Sequence, residues 1–244
     1  MVARAPFLTV VNALWRVPLI LLATAVLSCL SVGFSLIDKT GRGQHWCARQ
    51  WSQFIFLVGR VHVDIEGLDR IDTGQGYVFA ANHLSMFDHW AFLAKLPLQF
   101  RFVAKESLFR IPFLGWHLRK SGNVAVDRHH PRKTLHAFEQ VGKQLKRGVS
   151  FVIYPEGMRT WDGRMVEFKR GAFKLAQYAQ APIVPVTIID AHDRLPRGSK
   201  VIRPGRMKLI IHAPIPYQDY SDLDLAALAA HVQRIVSQSY PETP

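Results

Sequence analysis

The sequence after residue 60 alternates between short apolar runs and longer amphipathic stretches, and this alternation constrains the fold more than any other feature. The runs have the length of strands, whereas the stretches repeat apolar residues at helical spacing, as Phe138, Val141 and Leu145 do. Strands that alternate with helices indicate an α/β domain with a mixed, largely parallel central sheet flanked by helices. The predicted strands are 61–65, 77–81, 100–104, 124–126, 149–154, 183–189 and 207–211, and the predicted helices are 88–95, 134–145, 171–179 and 222–237.

The N-terminal part of the chain differs from this pattern because it is strongly hydrophobic. Residues 17–37 contain no charged residue, and about 20 apolar residues are enough for a helix to cross a bilayer. A second apolar piece at residues 51–58 is too short to cross. We therefore expect a hydrophobic two-helix membrane-anchoring motif over residues 1–60 and an α/β domain over residues 61–244.

The sequence leaves the arrangement of these two helices open. Either the first helix spans the membrane, or both helices lie partly embedded in one leaflet with Trp and Arg side chains at the level of the lipid headgroups. A buried two-helix cap on a soluble domain is the remaining alternative. A cleaved signal peptide is less favoured, because the apolar run is long and has no clear small-x-small cleavage site.

The charge of the chain narrows the choice of partners. A formal net charge of +13 predicts anionic partners, such as lipid phosphate, a membrane surface or an acidic carrier protein. Nucleic acid is less favoured, since the sequence has no zinc-finger spacing, helix-turn-helix signal or run of interleaved aromatic and basic residues. The two cysteines, Cys29 and Cys47, make no disulfide framework, and the histidines form no metal-binding pattern.

Residues 82–88, Asn-His-Leu-Ser-Met-Phe-Asp, place a histidine and a carboxylate close together after a predicted strand. Ser85, with Asp88 three residues later, indicates the start of a helix. His83 and Asp88 can therefore face each other across the turn, which is the arrangement of a general base and the acid that orients it. A core histidine satisfied by a nearby carboxylate is the other interpretation of this spacing.

Basic residues follow further strands, at the carboxyl ends of the strands, where open α/β folds place their sites. Lys105 and Arg128 each follow a predicted strand, and both could bind a phosphate, the lysine as a point charge and the arginine as a planar fork. The alternative for Arg128 is an exposed ion pair with Asp127, which would contribute little to stability.

The loop after the strand 149–154 carries a carboxylate, a glycine and an arginine in close succession. Gly157 lets the backbone approach a ligand closely, and Arg159 could bind a phosphate in bidentate fashion. Glu156 could hold Arg159 in place or accept a hydrogen bond from a substrate hydroxyl. An ordinary loop with an internal ion pair is the alternative.

Pro185 lies inside the predicted strand 183–189. Proline in a strand indicates an outermost strand of the sheet (a sheet edge) or a bulge, because proline cannot donate a ladder hydrogen bond. Pro185 therefore either lines the site or shapes the end of the sheet.

Together these motifs resemble the glycerolipid acyltransferase family, and in particular its bacterial 1-acyl-sn-glycerol-3-phosphate acyltransferases. The resemblance covers about residues 61–215, and the hydrophobic N-terminus is also similar. The family loop is usually Phe-Pro-Glu-Gly-Thr-Arg-Ser, whereas this chain has Tyr154, Met158 and Thr160 in place of the Phe, Thr and Ser. The resemblance rests on Asn82-His83-x4-Asp88, the segment 122–128, Tyr154-Pro155-Glu156-Gly157-x-Arg159 and Val184-Pro185, in that order.

The resemblance implies transfer of a fatty acyl group from acyl-CoA or acyl-carrier protein to the sn-2 hydroxyl of 1-acylglycerol-3-phosphate, which gives phosphatidic acid. His83 would act as the general base and Asp88 would orient it. No metal or redox cofactor is implied. The partners would be membrane lipids and the acyl donor, with the catalytic domain on the cytoplasmic side of the inner membrane. The implied substrate-binding residues are Lys105, Arg128, Glu156, Gly157, Arg159 and Pro185.

Two alternatives to this function stay open. The acceptor could be another lysolipid, such as a lyso-ornithine lipid, which has no phosphate for the basic residues to bind. The chain could also be a membrane-binding protein without catalysis, although such a protein has no need of a paired His83 and Asp88.

Overall fold

The computed structural model describes residues 6–126 and 131–241, with side chains described over 14–125 and 137–241. The described helices are α1 (Pro6–Ile37), α2 (Arg42–Gly59), α3 (Phe87–Lys95), α4 (Leu114–Lys120), α5 (Pro131–Leu145), α6 (Arg170–Ala179), α7 (Ala191–Arg194) and α8 (Leu225–Gln238). The described strands are β1 (Val61–Glu66), β2 (Val78–Ala81), β3 (Phe100–Lys105), β4 (Val124–Val126), β5 (Ser150–Ile153), β6 (Ile183–Ile189) and β7 (Gly205–Ile211).

The strands of this part of the chain form one sheet in the order β1-β7-β6-β2-β5-β3-β4. All neighbouring strands are parallel except β6 and β7, which are antiparallel. The predicted mixed, largely parallel sheet flanked by helices is therefore confirmed. Each predicted strand and helix is present, with ends that differ by a few residues. For example, the last helix begins at Leu225 because the Asp224 side chain caps it, accepting hydrogen bonds from two backbone N–H groups.

The sheet separates two apolar cores. In the central strand β2, Phe79 and Ala81 face the core that α2 and α3 complete, whereas Val78 and Ala80 face the core that α5, α6 and α8 complete. Successive side chains of a strand point to opposite faces, so a strand covered on both faces must be apolar throughout. This burial explains why residues 78–81 form a continuous apolar run instead of alternating with polar residues.

The N-terminal helices form a hairpin that packs onto the α/β domain. The Trp51 indole N–H donates to the Thr24 hydroxyl at 2.9 Å and ties α2 to α1. On the other side of α2, Ile55 and Phe56 belong to the same core as β2 and α3. One face of α2 is therefore buried in the core of the α/β domain. The domain boundary near residue 60 stays a prediction.

The helix α1 is more exposed than α2. Its residues Leu14–Ile37 are long and apolar enough to cross a membrane, by length and composition, and only 11% of the most apolar window is buried. Leu21 and Leu22 are 63% and 61% exposed. Such an apolar surface is costly in water, and it points to a non-aqueous neighbour.

Pro185 lies in β6, which runs between β7 and β2. Of the two predicted settings for Pro185, a sheet edge or a bulge, the edge is therefore wrong. The antiparallel ladder with β7 begins only at Val186, and the next contact is an isolated bridge between Ile183 and Ile215. Pro185 sits in the gap between them, where its carbonyl accepts from the His212 N–H at 3.0 Å. Proline has no backbone N–H. An N–H at this position would point into the same gap, so the sheet loses no ladder hydrogen bond.

Candidate active site

The carboxyl ends of the parallel strands β2, β5 and β6 meet at one edge of the sheet, and Asn82 joins two of them. Its side chain is fully buried. The amide nitrogen donates to the Ile188 carbonyl at 2.9 Å, and the amide oxygen accepts from the Ile188 N–H at 2.7 Å. Only an amide can both donate and accept in this way, so Asn82 fixes the end of β2 against β6.

The backbone of His83, the next residue, is held by the loop that follows β5. The His83 N–H donates to Oε1 of Glu156 at 2.7 Å. The His83 carbonyl accepts from the Thr160 N–H at 3.0 Å. The backbone N–H and the backbone carbonyl of His83 are thus both hydrogen-bonded, which gives the histidine backbone a defined position.

The His83 side chain is paired with Asp88, as the sequence predicts. Nδ1 of His83 lies 2.7 Å from Oδ2 of Asp88, and Asp88 is fully buried in the first turn of α3. The same oxygen accepts from the N–H groups of Leu84 and Ser85, at 2.7 and 2.8 Å. Because a carboxylate only accepts, Nδ1 carries the proton and Nε2 keeps its lone pair for a substrate proton.

The protonation of this pair is set by burial and by nearby charge. Burial lowers the pKa of His83, and the positive charges of Arg159 and Arg197 lower it further. The imidazole is therefore neutral at neutral pH, which a general base requires. Burial raises the pKa of Asp88, while the hydrogen bonds from Ser85 and Leu84 oppose this shift.

Two aromatic rings hold the plane of the imidazole. The Tyr154 ring stacks on His83, with ring centroids 4.0 Å apart and an interplanar angle of 18°. The His89 ring contacts His83 edge-on at 5.1 Å and Tyr154 at 4.8 Å. The sequence analysis missed His89, since nothing in the spacing of this residue shows that its ring turns back towards His83.

Glu156 has a different partner from the expected one. It is fully buried, and its oxygens accept from the backbone N–H groups of His83 and Val166, at 2.7 and 3.2 Å. Of the two roles predicted for Glu156, holding the Arg159 side chain is wrong, because no ion pair joins these two within the described residues. Accepting a hydrogen bond from a substrate hydroxyl stays a prediction. Burial raises the pKa of Glu156 to about 7. The adjacent Gly157 has φ of 78°, in the left-handed region that favours glycine.

Arg159, which is half-buried, lies close enough to His83 to lower its pKa. Lys105 is exposed at the end of β3, on the same sheet edge but separated from β2 by the strand β5. Pro185 is buried in the sheet, in register with Ala80. Arg128 lies outside the described residues. The described residues include no group of three or more His, Cys, Asp or Glu side chains that could hold a metal ion.

Arg197, in the segment after α7, is a basic residue of the site that the sequence analysis missed. Its Nη1 donates to the Arg159 carbonyl at 2.7 Å, and its guanidinium lies 4.1 Å from the centre of the Trp161 ring. The only available signal was its position beyond a strand that ends at this edge, because 38 residues separate it from Arg159.

The site coincides with a known family model. The model described as Acyltransferase matches residues 62–189, which include His83, Asp88 and Arg159. A 1-acyl-sn-glycerol-3-phosphate acyltransferase of Bacillus subtilis is 30% identical over 81% of this chain and 94% of its own length. A chloroplastic 1-acyl-sn-glycerol-3-phosphate acyltransferase of Brassica napus is 33% identical over 77% of this chain and 55% of its own length.

The chain spans about half the length of the plant and algal relatives it matches, between 44% and 55% of each. A solved structure also has this fold. It is the crystal structure of a 1-acyl-sn-glycerophosphate acyltransferase from Thermotoga maritima, which superposes with a TM-score of 0.82 at 23% identity and covers 96% of this chain. This match extends the similarity of fold across the N-terminal helices.

Proposed function

The chain belongs to the acyltransferase family, and on this basis we propose that it transfers a fatty acyl group to the sn-2 hydroxyl of 1-acylglycerol-3-phosphate, forming phosphatidic acid. The donor would be acyl-CoA or acyl-carrier protein. One observation carries the proposal: Nδ1 of His83 is held by the buried Asp88 at 2.7 Å, which leaves Nε2 for a substrate.

In the proposed reaction the acceptor hydroxyl loses its proton to Nε2 of His83 as its oxygen attacks the thioester carbonyl. The carboxylate of Asp88 stabilises the imidazolium that forms. When the C–S bond breaks, the imidazolium returns the proton to the leaving thiolate, so the products are an ester and a free thiol. The acceptor supplies its own oxygen, and no Ser or Cys nucleophile is needed. Nor does this transfer need a metal or redox cofactor, because the thioester is already activated and no electron is transferred.

We propose that basic side chains at this sheet edge bind the acceptor phosphate. Arg159 is the best placed, because the next residue, Thr160, donates its N–H to the His83 carbonyl at 3.0 Å. Lys105, and by sequence Arg128, would add to the positive potential along the same edge. Gly157 lets the loop backbone approach the headgroup, Glu156 fixes the loop to the His83 backbone, and Pro185 shapes the sheet beneath the site.

The acceptor and the product are both lipids, so the site has to lie at a membrane. The exposed apolar surface of α1 supports its insertion into the bilayer. The net charge of +13 supports attraction to anionic lipids and to an acidic carrier protein. We propose a location at the inner membrane with the catalytic domain facing the cytoplasm, where acyl-CoA and acyl-carrier protein occur.

The experiment is an acyl-transfer assay with the purified full chain in mixed micelles, offered both donors. The acceptors are 1-acylglycerol-3-phosphate and, in parallel, a lyso-ornithine lipid. His83→Ala is compared with His62→Ala, which removes an exposed histidine of β1. We expect phosphatidic acid from the wild type and from His62→Ala, and a loss of at least about a hundredfold in His83→Ala.

Other results would overturn the proposal in different ways. Product from the ornithine lipid alone would keep the chemistry and refute the phosphate-bearing acceptor. Phosphatidic acid formed equally by His83→Ala would remove the general base. No product from either acceptor with either donor would favour a membrane-binding protein without catalysis.

A further inference from the structure

The Arg197 side chain reaches the backbone of Arg159, in the loop that follows β5. Its Nη1 donates to the Arg159 carbonyl at 2.7 Å. Burial lowers the pKa of Arg159 and the charge of Arg197 lowers it further, whereas the charge of Asp88 raises it. Neither arginine takes part in an ion pair with another described residue. Like charges repel each other, and an anion bound by both arginines would offset this repulsion.

Arg197 is held in place from two sides. Its guanidinium stacks at 4.1 Å over Trp161, a ring that is itself 68% exposed. A cation over the face of tryptophan is attracted by the ring quadrupole. The stacked face and the bond to the Arg159 carbonyl fix the plane of the guanidinium. Of its five N–H donors, only that one is used among the described residues, so an edge of the fork is left for a ligand.

We propose that Arg197, stacked on Trp161, binds the acceptor phosphate together with Arg159 and makes the site selective for a dianionic phosphate monoester. This inference rests on the proposed acyl transfer to 1-acylglycerol-3-phosphate. A phosphate monoester carries a charge of about −1.5 to −2 at pH 7, which matches two arginines that have no carboxylate partner in the part of the chain that the structure describes. A phosphodiester headgroup carries only one negative charge and leaves one arginine unpaired.

The acceptor is the source of this phosphate, although CoA also carries a phosphate monoester. One peptide group links Arg197 to His83, because its carbonyl, from Arg159, accepts from Arg197 at 2.7 Å and its N–H, from Thr160, donates to the His83 carbonyl at 3.0 Å. An anion bound by both arginines therefore lies near the base. In the acceptor, a short glycerol bridge joins the reacting hydroxyl to the phosphate. In CoA, the long pantetheine arm separates the thioester from the phosphates. A phosphate close to His83 therefore belongs to the acceptor.

The test compares two acceptors that share an acyl chain and an sn-2 hydroxyl, namely 1-acylglycerol-3-phosphate and 1-acylglycerophosphoglycerol, a phosphodiester. Arg197→Gln, Arg197→Lys and Trp161→Leu are assayed as full chains for kcat and KM. The matched control is Arg164→Gln, which removes one charge from the same loop as Trp161. The Arg164 side chain is 69% exposed and lies 4.0 Å from Asp162.

We expect Arg197→Gln to raise KM for the monoester by about tenfold or more, the size of one lost charge-assisted hydrogen bond. The preference for the monoester in kcat/KM should fall by a similar factor. Arg197→Lys keeps the charge but loses the planar fork, so its KM for the monoester should lie between those of Arg197→Gln and the wild type. Trp161→Leu should raise the same KM by a smaller factor. KM for the acyl donor and the melting temperature should stay unchanged, and Arg164→Gln should match the wild type.

The inference is overturned, with the proposed function intact, if the wild type makes phosphatidic acid while Arg197→Gln affects both acceptors equally. A rise in KM for acyl-CoA instead of the acceptor would assign Arg197 to the donor and would also overturn it. If the wild type does not acylate the monoester, the proposed function fails, and the inference fails with it.

Discussion

Asn82 offers the sharpest test of how the site is held together. Its fully buried amide makes two hydrogen bonds to one backbone residue, Ile188, at 2.9 and 2.7 Å. Asn82→Ala leaves the Ile188 N–H and C=O buried without partners. Each unpaired group costs about 1–3 kcal/mol, so we expect a destabilisation of about 4 kcal/mol. For a chain of this size, that lowers the melting temperature by about 8–16 °C.

Asn82→Asp separates the two hydrogen bonds by pH. One carboxyl oxygen still accepts from the Ile188 N–H, but the other faces the Ile188 carbonyl and binds it only when protonated. Burial and this bond raise the pKa of the new carboxyl in the folded state above its unfolded value of about 3.9. The variant therefore loses stability as pH rises from about 4 through the folded pKa, and it is closer to the wild type at pH 5 than at pH 8.

Asn123→Asp is the matched control. The Asn123 oxygen accepts from the Phe102 N–H at 2.8 Å, and its nitrogen donates to the Ser121 hydroxyl at 2.7 Å. A hydroxyl can turn and donate to a carboxylate, whereas a carbonyl cannot, so this variant should show little dependence on pH. Unfolding is followed by circular dichroism in detergent micelles. The reasoning is refuted if Asn82→Ala costs less than about 1 kcal/mol, or if Asn82→Asp loses the same stability at pH 5 and pH 8.

Three further predictions concern activity and membrane binding. Asp88→Asn should lower kcat by about 10²–10⁴-fold with little change in KM, because the imidazolium loses its carboxylate; unchanged steady-state rates would refute this role. Arg197→Gln should move the acidic limb of the pH profile of kcat/KM to higher pH, because loss of a positive charge raises the pKa of His83. An acidic limb that stays in place would show that the charge of Arg197 does not act on His83. Replacing Leu21 and Leu22 of α1 by Gln should weaken sedimentation with anionic vesicles at least about tenfold, and equal binding in high salt would assign the anchoring to another surface.

The sequence predicts the parts of this protein that depend on local pattern. The strands and helices follow from runs and spacings within a few residues, and the pairing of His83 with Asp88 follows from one turn between a strand and a helix. Parallel strands bring their carboxyl ends to one edge, which is why the loop after β5 could be expected near His83. These predictions use only short segments and the direction of the chain.

Contacts between distant segments could not be predicted in the same way. Glu156 was expected to hold Arg159, three residues away, or to bind a substrate hydroxyl. Its carboxylate instead accepts from the His83 backbone, 73 residues earlier in the chain. Arg197 reaches the site through the loop after α7, where no spacing indicates it. Pro185 was expected at a sheet edge or a bulge. It lies instead at a gap in the pairing of β6 with β7, which the sequence does not show because the gap depends on the path of residues 212–214.

The charges around His83 connect binding to chemistry. In the free protein, Arg159 and Arg197 lower the pKa of the imidazole and weaken it as a base. A dianion bound by these arginines would offset their charges and raise the pKa of His83, which makes the imidazole a stronger base. The acceptor phosphate would then do more than hold the lipid in place, since it would strengthen the base that takes the proton from the same molecule. An acceptor with the same hydroxyl but no phosphate would bind more weakly and would leave His83 a weaker base. We therefore expect a lower kcat as well as a higher KM for such an acceptor.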